Sequence, residues 1–147
     1  MTRRAAFAAT ALATSLVNLL LHAASYALIL KDFYAAHPAG SPGFVRELHR
    51  SADELVVWAM VVTALSMGTF ITLVMHWSGA ATPGAGIKKG ALLGALFWIA
   101  VNSGLYASSR LFSLESVLVD TPCSALTMAS SAAFAAWMLH RLRGGER

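Results

Sequence analysis

Cysteine is almost missing from this sequence. Its one thiol, Cys123, excludes an intrachain disulfide framework and a cysteine-rich zinc site. Charge is scarce as well: 12% of the 147 residues are charged while 57% are hydrophobic. A soluble domain carries about 25% charged and about 45–50% apolar residues. GxGxxG, P-loop, CxxC, HExxH and GxSxG patterns are absent, so the common soluble chemistries lack their signatures. No period of repeat length and no low-complexity tail is found.

Long apolar runs are what the sequence has instead. A helix crossing a bilayer needs roughly 20 apolar residues. Four such runs, at about residues 5–30, 55–76, 87–107 and 114–140, use most of the chain and leave no room for a separate soluble domain. The expected fold is all-α: a single-domain integral membrane four-helix bundle with a short interfacial helix between helices 1 and 2. The basic start at Arg3 and Arg4 followed by an apolar stretch also fits a secretory signal peptide. The run is long for one, and Asn18 and His22 interrupt it, so a retained helix is expected.

Connections read from their punctuation. Lys31 to Glu54 is the longest polar stretch. Within it, Ser41-Pro42 is a plausible helix start, and Phe44 and Leu48 suit a membrane surface. Ser51 with Glu54 has capping-box spacing. Ser78 to Gly86, with Gly79, Pro83, Gly84 and Gly86, reads as a turn. Pro122 marks either the first turn or a kink of the fourth helix.

The net charge of +4 would suggest nucleic acid in a soluble protein. Here the cations cap the apolar runs, so topology explains them and no nucleic-acid partner is expected. Arg3, Arg4, Lys88, Lys89, Arg141, Arg143 and Arg147 share one side of a four-span arrangement. The opposite side mixes Lys31, Arg46 and Arg50 with Asp32, Glu47, Asp53 and Glu54. The positive-inside rule then places both termini in the cytoplasm.

Gly86, Gly90, Gly94, Trp98, Asn102 and Tyr106 recur every fourth residue, one slowly drifting stripe on a helix. Glycine at that spacing lets another helix come close. The segment is expected to be the central packing helix, with the stripe used inside the subunit in preference to a homo-oligomer contact.

Polar residues within the spans are the candidate site. Ser15, Asn18, His22, Ser25 and Tyr26 form a stripe on the first helix that lipid would penalise. Asn102, Ser103 and Tyr106 of the third helix and Asp120, Thr121 and Cys123 of the fourth approach the same outer half. A ligand-binding cluster of Asn18, His22, Tyr26, Trp98, Asn102, Tyr106 and Asp120 is expected, with membrane lipid, a small molecule or a partner subunit as occupant. The bland reading is hydrogen-bonded helix glue. The alternative is a proton-coupled transporter or membrane enzyme using Asp120 and His22. A haem carrier fits less well, because the histidines are not paired at matched depth on facing helices. No metal and no cofactor are expected, and enzymatic activity is not favoured.

Three short stretches carry a resemblance. Lys31-Asp32-Phe33-Tyr34 follows the first helix, Gly90-Ala91-Leu92-Leu93-Gly94 opens the third, and Leu118-Val119-Asp120 enters the fourth. The order resembles the uncharacterised small bacterial membrane proteins of family number 2177 in the domain-of-unknown-function series. The resemblance implies a four-helix protein of the bacterial inner membrane and brings no activity with it.

Overall fold

A computed structural model describes residues 2–41, 43–44, 50 and 52–144. The expected interfacial helix, with Pro42 and Leu48, and the Ser51 cap lie largely outside these residues. The described chain is helical and contains four helices of membrane length: α1 (Arg3–Ala36), α2 (Val57–Trp77), α3 (Pro83–Ser108) and α4 (Leu114–Gly144). No strand occurs among the described residues.

Helix ends follow local chemistry. Thr2 caps α1 by accepting from Ala5 N at 3.3 Å. Thr82 caps α3 in the same way, accepting from Ala85 N at 3.2 Å. Pro83 then occupies the first turn, where its missing N–H costs nothing. The glycines and proline of the expected Ser78–Gly86 turn thus divide: the turn ends at Thr82, and Pro83, Gly84 and Gly86 belong to α3. Gly79 closes α2 at a φ of +65°, a conformation glycine adopts without Cβ strain. Ser113 starts α4 by accepting from Ser116 N at 3.1 Å. Pro122 lies inside α4, and the helix continues through it to Gly144.

The helices alternate in direction. The Phe7 and His76 rings, 5.9 Å apart, bring the start of α1 beside the end of α2. A Cβ on Gly86 would lie 2.6 Å from the Ala132 carbonyl oxygen, so the start of α3 meets the late turns of α4. Arg3, Arg4, Lys88, Lys89 and Arg141 therefore gather at one end of the bundle.

The centre belongs to α4, not to the Gly86–Tyr106 segment. Half of α4's apolar stretch is buried, against 17% to 22% for the other three. It packs on all of them, most extensively on α3. The reason is side-chain size. Ser124, Ala129, Ser131, Ala132, Ala135 and Ala136 are buried along α4, and small residues let several backbones approach one helix. The glycines of α3 complete the fit: a Cβ on Gly94 would meet Ala125 Cα at 3.1 Å. On the opposite flank Gly68 of α2 lies against the Ser15 backbone of α1.

The interior mixes an apolar cluster of Ile71, Met75, Met128 and Leu139 with buried hydroxyls, and the surface is rich in leucine. Thr10, Thr14, Thr72 and Ser131 are fully buried, while Leu12, Leu96 and Leu126 are 61%, 62% and 67% exposed. Three of the inner hydroxyls bond within their own helices, whereas those of Thr14 and Thr72 are buried without a hydrogen-bond partner among the described residues. Thr10 Oγ1 donates to Ala6 O, Ser15 Oγ to Ala11 O and Ser131 Oγ to Thr127 O, each at 2.8 Å. An apolar coat of this extent, with hydroxyls and small residues buried between the helices, suits lipid as solvent.

Candidate functional site

The polar groups form a ladder between α1 and α4. Asn18 Nδ2 donates to Ser131 Oγ at 3.1 Å. His22 Nε2 lies 3.1 Å from Thr127 Oγ1, and the Thr127 hydroxyl itself donates to Ser124 O at 2.8 Å. With that hydroxyl proton directed at Ser124 O, the Thr127 oxygen is left to accept, which suits the His22 tautomer protonated at Nε2. The third rung is Tyr34, whose hydroxyl donates to Asp120 Oδ1 at 2.8 Å.

Tyr34 reaches Asp120 because α1 runs on to Ala36, beyond the expected end near residue 30. Lys31 and Asp32 read as the start of a connection, yet charge ends an apolar run without ending a helix. A π turn at Tyr26–Leu30 interrupts α1. Such a turn is an α-helix with one residue inserted, so everything beyond it lags by about 100° of rotation. Tyr34 is twelve positions after His22. On an unbroken helix the two would point about 120° apart; with one residue absorbed the angle falls to about 20°. The inserted residue aligns Tyr34 with His22 and turns it toward α4.

Asp120 is held by three helices. Asn102 Nδ2 of α3 donates to Oδ2 at 2.7 Å and also contacts Thr121 Oγ1 at 3.0 Å. Ser124 Oγ donates to Oδ1 at 3.5 Å. The carboxylate thus collects neutral donors from α1, α3 and its own helix, the arrangement expected for an acid inside an apolar bundle.

Below this layer the bundle opens. α2 and α3 both pack on α4 but make little direct contact. Between α1, α2 and α3 lies a cavity of about 490 Å³. Its wall is mostly apolar, including Leu19, Ala59, Met60 and Met67, and Arg50 of the α1–α2 connection borders it. Asn18, His22 and Trp98 supply the polar part. The His22 and Trp98 rings are 5.8 Å apart, and the Trp98 indole N–H is buried with no hydrogen-bond partner. An apolar wall with a few convergent polar groups is the usual make-up of a small-molecule site.

The seven expected residues therefore separate into three sets. Asn18, His22 and Trp98 line the cavity. Asn102 and Asp120 bond to each other in the neighbouring layer. Tyr26 and Tyr106 are 51% and 47% exposed on the outer surface, away from Asp120's hydrogen bonds. Sequence reasoning missed Tyr34, Ser124, Thr127 and Ser131. Thr127 and Ser131 had a signal, since with Ser124 they repeat at helical spacing along α4. The cavity wall on α2 had none, because its residues look like any lipid-facing run.

None of the family models, curated proteins or solved structures compared with the chain matches it. Function is therefore argued from the site alone. No group of three or more His, Cys, Asp or Glu side chains converges among the described residues.

Proposed function

We propose that this chain is a small integral protein of the bacterial inner membrane, with both termini cytoplasmic, that binds a small apolar molecule or a lipid chain without catalysis. The supporting observation is the cavity of about 490 Å³ left where α2 and α3 diverge, with Asn18, His22 and Trp98 as its polar groups. A ligand with an apolar body and one acceptor or donor group matches that lining. The Asp120 layer fixes α1 and α3 on α4 next to the cavity. Likeness to the 2177-type family belongs to the same proposal.

Thermal unfolding in detergent tests it, with and without lipid extracted from the host membrane. The extract raises Tm of the native chain. A His22→Leu/Trp98→Phe variant still folds and loses most of that rise. An equal rise in both would contradict the assignment.

One observation favours a second reading, proton-coupled transport. His22 and Asp120 meet the same stretch of α4: His22 through Thr127 to the Ser124 carbonyl, Asp120 through the Ser124 hydroxyl. Ionisable groups linked in this way across a bundle are the raw material of a proton path. Proton flux in proteoliposomes, abolished by Asp120→Asn, would support it.

A further inference from the structure

A second cavity, of about 410 Å³, lies at the opposite end of the bundle, between the first turns of α1 and the last turns of α2. Arg3, Arg4 and Phe7 line it from α1, and Leu73 and His76 from α2. The spacing explains the convergence: Phe7 stands three and four residues after the two arginines, and His76 three after Leu73, so each set shares a helix face. Thr2 caps the turn that carries both guanidinium groups.

Among the described residues, charge here is one-sided. The described acids, Asp32, Asp53, Glu54, Glu115 and Asp120, are all at or near the other end. Arg3 and Arg4 have no carboxylate partner among the described residues. Lys88, Lys89 and Arg141 add to the same positive end, although Lys89 Nζ donates to the Ser78 carbonyl and Arg141 sits 5.4 Å over the Trp137 ring. Below the arginines the wall is apolar, with Phe7 and Leu73 partly buried. A cationic rim above an apolar wall matches an amphiphile whose charged group is anionic.

We propose that this cavity holds the phosphate headgroup of an anionic membrane lipid, with Arg3 and Arg4 on the phosphate and the upper acyl chain against Phe7 and Leu73. Basic pockets between helices at the membrane surface recognise such headgroups, and guanidinium groups suit phosphate. The inference rests on the proposal that the chain spans a membrane. It is independent of the cavity beside His22.

The test uses the full chain in a nonionic detergent, titrated with phosphatidylglycerol or phosphatidylcholine and read by native mass spectrometry. Phosphatidylglycerol adducts exceed phosphatidylcholine adducts on the native chain. Arg3→Gln/Arg4→Gln weakens phosphatidylglycerol retention on the order of ten-fold or more, taking about 1 kcal/mol for each cation at a membrane surface. Lys88→Gln/Lys89→Gln removes equal charge outside the cavity and leaves retention within about two-fold of native. Leu73→Trp, which fills the apolar wall and keeps the charges, also lowers retention and covers the case of a double arginine variant that fails to fold. An equal fall in both double variants would overturn the site, since it would show only a diffuse basic face. Displacement of the lipid by millimolar inorganic phosphate would overturn the acyl-chain contact. Partitioning of the chain into the aqueous phase of a detergent phase separation would instead refute the membrane reading itself.

Discussion

Replacing Gly90 by alanine should loosen the bundle, whereas the same change at Gly104 should not. A Cβ on Gly90 would lie 3.0 Å from Ala129 Cα, and nearer still to Ala132 Cβ. Carbon pairs rest at roughly 3.5–4.0 Å. Both neighbours belong to α4, the most buried helix, so relief requires α3 to move outward by a sizeable fraction of an ångström. Overpacking of this kind costs about 1–3 kcal/mol. Alanine also favours the helix over glycine by up to about 1 kcal/mol, which offsets part of the loss. At Gly104 no heavy atom lies within 4 Å of the added Cβ, so only the favourable contribution remains. Both glycines are inside α3, and the propensity gain cancels when the variants are compared. The difference in unfolding free energy between them is therefore the overpacking cost, about 1–3 kcal/mol. Titration of purified protein with dodecyl sulfate in mixed micelles, followed by far-UV circular dichroism, measures it. If Gly104→Ala proves as destabilising as Gly90→Ala, the close approach of α3 to α4 is not what the glycines provide.

The hydrogen-bond ladder makes three further predictions. Tyr34→Phe removes a donor to a carboxylate and should cost on the order of 1 kcal/mol in the same titration, while Tyr26→Phe, on the outer surface, should cost nothing measurable. Deleting Leu28 should convert the π turn to ordinary α-helix and keep Tyr34 in register with Asp120, so stability should fall by less than for Tyr34→Phe; a larger fall would show that the turn does more than absorb a residue. Asn102→Leu leaves Asp120 with one donor from outside its own helix and should cost about 1–2 kcal/mol. Asn102→Asp, setting two carboxylates face to face, should cost more, read as a lower dodecyl sulfate midpoint.

Helix number and most ends were legible because the apolar runs were long and broken by capping chemistry. Where reading failed, a local signal competed with a longer-range one. Lys31 and Asp32 ended the apolar run but not α1, which continues to Ala36 because no proline or glycine stops it. Pro83 looked like part of a turn, although a proline after Thr82 is equally the chemistry of a helix start. The centre of the bundle was misplaced because glycine was weighed above alanine and serine. The most buried helix is not the most apolar one: α4 turns small and hydroxyl-bearing residues inward with Met128 and Leu139, and exposes Leu114, Leu118 and Leu126. The polar residues Asn18 and His22 of α1 were legible as helix-facing, and both meet α4. The division of the polar groups into a satisfied Asp120 layer and an open cavity was not legible, since that depends on α2 diverging from α3 and on one inserted residue near Tyr26.

Occupancy of the cavity beside His22 can be read directly by native mass spectrometry of the chain extracted from its own membrane, compared with an Ala64→Trp variant. Ala64 lines the cavity, and an indole there would fill much of it while leaving Asn18, His22 and Trp98 unchanged. The native chain should retain a bound small molecule or lipid of defined mass, and Ala64→Trp should lose it while keeping its helical content. An adduct that persists undiminished in Ala64→Trp, or a native chain that carries none, would contradict a ligand site between α1, α2 and α3.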